Sequence, residues 1–284
     1  MKSFEEVTVS IPAYPFEAPI VSSIQQLLHG EFSELFLAVI VHGSIATNEI
    51  VPYSDFDGLL IVKEDHLGSP KLREFKRRTL RLIYEFDPLQ HHGWFELSEA
   101  QMDDFPQDYF PYELLEHSKT IYPAAGLELT MRIPVTTDYL RVFNDLSSSV
   151  LKKTEPPFRP HNRYTLKTFI SQILLLPSVY YAAREQKAIF KKYSFAAVQG
   201  DFAYEAWRSI ERASSIRSNW NYQVSLILRP FVTRPERVFR KLLQKGPFLG
   251  LEPELEASLS MDFYADLIKL IQEMRSNLHQ VKVV

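Results

Sequence analysis

The chain has no cysteine. A disulfide framework, a thiolate metal site and a cysteine nucleophile are therefore excluded. The absence agrees with a reducing compartment. There is no excess of basic charge either: 32 lysines and arginines against 35 aspartates and glutamates leave a formal net charge of -3 over 284 residues. Without a global basic field, binding along a long nucleic acid is not expected. Long apolar runs are missing too. "LFLAVIV" and "FISQILLLPSVYYAA" are too short or too interrupted to span a bilayer. At the N-terminus, "MKSFEEVTVSIPAYPFEA" has acids and prolines where a signal peptide needs an apolar core. The expectation is a cytoplasmic protein with no membrane partner.

What is present reads as a folded protein, with 45% hydrophobic and 24% charged residues. The length exceeds that of a usual single domain. The first part mixes strand and helix patterns. "PIVSSIQQLL" sets Ile20, Val21, Ile24, Leu27 and Leu28 on one helical face. "LFLAVIVHG" and "DGLLIVKE" read as buried strands. "SPKLREFKRRTLRLIYEFDP" reads as a helix closed by Pro88. "LQHHGWFEL" predicts a further strand, with Gln90, His92, Trp94 and Glu96 on one face, and "SKTIYP" a short one. From about Thr130 the pattern turns helical, with a proline-rich connection at "TEPPFRPHNRY" and a kink at Pro177. The expected organisation is a mixed α/β domain over residues 1–130, then an all-α domain over 131–284. The apolar helices of the second domain leave pairing with a second copy open.

The stretch "HGSIATNEIVPYSDFDGLLIV" carries the chemistry. Gly43 and Ser44 end one strand, and Asp55 and Asp57 open the next. Residues i and i+2 of a strand point the same way, which sets the two carboxylates side by side with Cα atoms ~7 Å apart. Two like charges so placed call for a cation, and hard divalent cations suit carboxylate oxygens and substrate phosphates. Glycine lets a backbone approach a phosphate closely, and the turn amides with the Ser44 hydroxyl supply donors. His42, His91 and His92 show no regular ligand spacing, and no zinc site is read from them.

With ten residues between Ser44 and Asp55, the stretch resembles the signature of the DNA polymerase beta-like nucleotidyltransferase superfamily, in its small-molecule branch of antibiotic and minimal nucleotidyltransferases. The resemblance implies an alternating α/β (α+β) core around a short mixed sheet, and that Gly43 and Ser44 contact nucleotide phosphates. It implies that Asp55 and Asp57 bind magnesium, with manganese as the alternative. It implies a transfer of a nucleoside monophosphate from a nucleoside triphosphate to a hydroxyl of a small-molecule or protein acceptor, with release of pyrophosphate. Many members add a third carboxylate from a later strand, and Glu96 is the candidate here. "HHGWFEL" departs from the usual context of that acid, so His92, on the same expected face, stands beside it as a base. Lys192 of "AIFKKYSF" is the candidate for a helical-domain contact to the triphosphate, against the plain reading of a helix-end lysine pair. The alternative function is a catalytically degraded module that binds nucleotide or a protein partner in a regulatory or antitoxin-like role.

Overall fold

The computed structural model describes residues 3–222, 224–225, 227–234, 236–246 and 249–281. The chain divides into two compact units, one of residues 1–136 with 222–242 and one of residues 137–221 with 243–284.

The first unit is built on a four-stranded sheet. In chain order its elements are β1 (Phe4–Ile11), α1 (Pro19–Leu27), β2 (Phe36–His42), α2 (Gly43–Ala46), β3 (Asp57–Val62), α3 (Pro70–Phe86), β4 (Phe95–Ser98), β5 (Lys119–Tyr122) and β6 (Leu127–Pro134). The sheet order is β4-β3-β2-β5. β2 runs antiparallel to β3 and β5, and β3 runs parallel to β4, so the sheet is mixed. The two central strands are apolar on both faces, as strands covered from both sides must be. Val39, Val41, Leu60 and Val62 pack with Ile24 of α1 and Phe75 and Ile83 of α3. Ala38, Ile40, Leu59 and Ile61 pack on the other face with Val9 and Ile11 of β1 and Leu129 and Met131 of β6.

α3 starts where Ser69 caps it, its hydroxyl accepting from the Leu72 amide at 3.1 Å, and Pro70 needs no amide partner at that position. Two departures from the sequence reading concern this unit. β1 and β6 form an antiparallel pair with Phe4 opposite Pro134 and Ile11 opposite Leu127. The expected boundary at residue 130 falls inside β6, and the unit continues to Thr136. Residues 90–94 are not strand: β4 begins only at Phe95.

The second unit is helical: α4 (Tyr139–Lys152), α5 (Arg163–Ile173), α6 (Leu176–Glu185), α7 (Lys191–Val198) and α8 (Tyr204–Ser218), later joined by α11 (Pro253–Ser258) and α12 (Met261–Val281). Between α8 and α11 lie α9 (Arg229–Val232) and α10 (Arg237–Lys245), mostly in the segment that belongs to the first unit. Pro177 does not kink one long helix. α5 ends at Ile173 and a new helix begins at Leu176 with the proline in its first turn, where its missing N–H costs nothing. α12 packs along α8, and its Phe263, Leu267, Leu270, Ile271 and Met274 are fully buried. No helix among the described residues is long and apolar enough to cross a membrane.

Candidate functional site

The β2–β3 register sets His42 opposite Asp57 and Val41 opposite Gly58. The chain leaves β2 through Gly43 at φ +65°, in the left-handed region. A Cβ on Gly43 would stand 2.6 Å from Asp57 Oδ2. Glycine is thus required twice, by backbone conformation and by the carboxylate lying against it. Ser44 follows in the four-residue α2, whose first amides have no partner within a helix.

Asp55 and Asp57 flank Phe56, whose ring is fully buried in the core below α3. The backbone between the two acids is fixed by a side chain. The Gln90 amide accepts from Phe56 N–H and donates to Phe56 C=O, both at 2.8 Å. In effect Gln90 replaces a neighbouring strand at the one residue that sets the spacing of the acids. Gln90 is itself buried, and its own carbonyl accepts from the Arg240 guanidinium, which also donates to Pro88 C=O at 3.0 Å and Val232 C=O at 3.2 Å. That guanidinium lies 4.0 Å over the Tyr84 ring. The sequence reading missed Gln90 and Arg240. The signal was a glutamine beside Leu89, placed with His92, Trp94 and Glu96 on one face of an expected strand.

The same loop presents two imidazoles to the acids. His92 Nε2 lies 3.2 Å from Asp57 Oδ1, and His91 Nδ1 lies 3.9 Å from Asp55 Oδ2. Asp55 is only 13% exposed, so its charge is largely removed from water. Asp55, His91 and His92 each offer a ligand atom within 4.8 Å of the other two. Burial alone would lower the His92 pKa. The hydrogen bond and charge of Asp57, with the charge of Asp55 behind it, outweigh that and push it up to about 9. His92 is therefore an imidazolium at neutral pH while only these groups surround it. His42 behaves oppositely. Burial lowers its pKa against the pull of Asp57, its ring packs on Phe95 and Phe110, and its buried Nε2 has no hydrogen-bond partner among the described residues.

The remaining candidates lie elsewhere. Glu96 pairs in register with Leu60, and Phe95 with Leu59. Paired residues share a face, so Glu96 stands on the α3 side, where it meets Lys76 Nζ at 2.6 Å. Asp57, two residues before Leu59, projects to the opposite side with His42 and Phe95. The expected common face of His92 and Glu96 is thereby corrected. The segment before Phe95 is a loop, and alternation does not carry through it. Lys192 is exposed in the first turn of α7, in the second unit.

No protein-family model matches the chain, and no curated protein matches it. A search of solved structures returned spectinomycin adenyltransferase AAD(9) from Enterococcus faecialis, crystallised with ATP and spectinomycin. The chains share 14% identity, and the match covers 80% of this chain and 98% of that one, with a TM-score of 0.38.

Proposed function

We propose that the first unit carries out metal-dependent nucleotidyl transfer from a nucleoside triphosphate to a hydroxyl acceptor, releasing pyrophosphate. One observation carries the reading. The glycine-serine turn and the two aspartates, with ten residues between Ser44 and Asp55, meet at Gly43 and Asp57. A phosphate cradle and a carboxylate pair then serve one substrate from the ends of two adjacent strands. Asp55 and Asp57 would hold a divalent cation, which supplies neutralisation of phosphate charge. Gly43 and Ser44 orient the phosphates, and Gln90 keeps the two acids at a fixed separation. Glu96 is paired with Lys76, so it does not enter this reading as the base. Catalysis rests on positioning and charge.

Calorimetric titration of triphosphates, with and without Mg²⁺, is the first test. Binding that requires the cation and is lost in Asp55→Ala/Asp57→Ala is expected, followed by pyrophosphate release with a panel of hydroxylated acceptors. Binding indifferent to both the cation and the double substitution overturns the reading. The position of Glu96 favours one second reading, a nucleotide-binding module without turnover. It predicts the same binding and no pyrophosphate with any acceptor.

A further inference from the structure

We propose that Asp55, His91 and His92 form a mixed nitrogen–oxygen site that binds a first-row transition metal, of the Mn²⁺, Co²⁺ or Zn²⁺ class, in preference to Mg²⁺. The proposal shares Asp55 with the transfer reading above but does not depend on nucleotide.

Four observations carry it. The first is proximity. One ligand atom from each of the three residues lies within 4.8 Å of the others. An ion bonded to such ligands at about 2.0–2.2 Å holds them about 3–3.5 Å apart, so closure by little more than an ångström completes the site. These residues sit in loops, where side chains can make that adjustment. The second is donor chemistry. Mg²⁺ takes oxygen ligands and keeps its waters, whereas imidazole with carboxylate suits Zn, Mn, Co and Fe. A site built for Mg²⁺ alone would have no use for two imidazoles turned toward its acids.

The third observation is the support behind the ligands. His92 Nδ1 lies 3.1 Å from Gly93 C=O. Donation there fixes the tautomer that leaves Nε2 facing Asp57, the arrangement by which metal-binding histidines are commonly oriented. Gln90 Nε2, 3.3 Å from the same Nδ1, stands beside it. The fourth is rigidity of the frame. The loop that carries both histidines is tied to the acids through Gln90 and Phe56 and to α10 through Arg240. Asp57, 3.2 Å from His92 Nε2, borders the site.

The test uses metal-depleted full-length protein and no nucleotide, so its failure is distinct from failure of the transfer reaction. Co²⁺ is added and its visible ligand-field absorption recorded, and Mn²⁺, Zn²⁺ and Mg²⁺ are titrated calorimetrically. One equivalent of transition metal is expected, held at least about tenfold more tightly than Mg²⁺. His91→Asn and His92→Gln should each weaken it by about tenfold or more, with circular dichroism showing both variants folded. Pulsed electron paramagnetic resonance of Mn²⁺ on the unsubstituted protein should show ¹⁴N couplings, a readout that survives if either variant fails to fold. Transition-metal affinity no better than that of Mg²⁺, or bound Mn²⁺ without nitrogen couplings, overturns the proposal.

Discussion

At Gly43 two constraints meet in one residue, and they make different predictions. Its φ of +65° costs an alanine about 1–2 kcal/mol, and the 2.6 Å approach to Asp57 Oδ2 forces the carboxylate aside. Gly43→Ala is expected to lower stability in urea by at least the backbone cost and to weaken triphosphate binding more than stability. Equal binding in the variant would remove the turn from the site. His92 supplies the pH dependence. Its folded pKa of about 9 exceeds its ordinary 6.5, so its proton favours the folded state. That contribution is complete below 6.5 and disappears as pH rises through about 9. In metal-depleted protein the His92 ring resonances should titrate near the upper value, and Asp57→Asn should return them toward the lower. A ring that titrates normally in both would mean that the Asp57 contact is not formed.

At the scale of elements, the loop between α3 and β4 depends on side chains for what a sheet obtains from its backbone. Gln90→Leu would leave the buried N–H and C=O of Phe56 without their partner, at about 1–3 kcal/mol each. Thermal unfolding should show a clear drop, and divalent-cation affinity should fall with it. Arg240→Met keeps an apolar stem for Tyr84 and removes the donors to Pro88, Gln90 and Val232. Its expected signature is faster amide exchange over residues 89–93 with the sheet amides unchanged. The strands β2 and β3 and the helices α1, α3 and α12 were legible, because their apolar spacing matches what is buried: Ile20, Val21 and Ile24 are buried as spaced. The loop was not. "LQHHGWFEL" alternates like a strand, yet Gln90 takes up the backbone groups of Phe56, and only Phe95–Ser98 joins β3. That one difference moves Glu96 to the far face and brings His91 to Asp55.

The whole molecule shows what no local pattern carries. β1, "FEEVTVSI", finds its partner more than a hundred residues later, and a pairing of that separation leaves no mark in a short window. Residues 222–242 return to the first unit after the helices α4 to α8 have been made, so a single cut in the sequence cannot separate the units. A fragment ending at Thr136 retains all six strands but loses Arg240. It is expected to unfold at a lower temperature than the first transition of the full chain. An unchanged midpoint would show that the returning segment adds nothing to the stability of the sheet. The contact of Gly43 with Asp57 has a similar origin: both residues are visible in the sequence, but only the antiparallel register between β2 and β3 brings them together.

Gly58 has a consequence of another kind. Its missing side chain leaves room for the Trp94 ring, which a Cβ there would meet at 2.3 Å. The ring packs edge-on against Phe56, and its indole N–H donates to Thr79 at 2.9 Å. Of the three tryptophans in the chain, Trp207 and Trp220 belong to the second unit. Trp94 is therefore an optical probe already installed next to the acid pair and its histidine loop. In a Trp207→Phe/Trp220→Phe background, emission would come from that one indole, and quenching by Co²⁺ or a shift on adding triphosphate would report occupancy of the site in real time without a label.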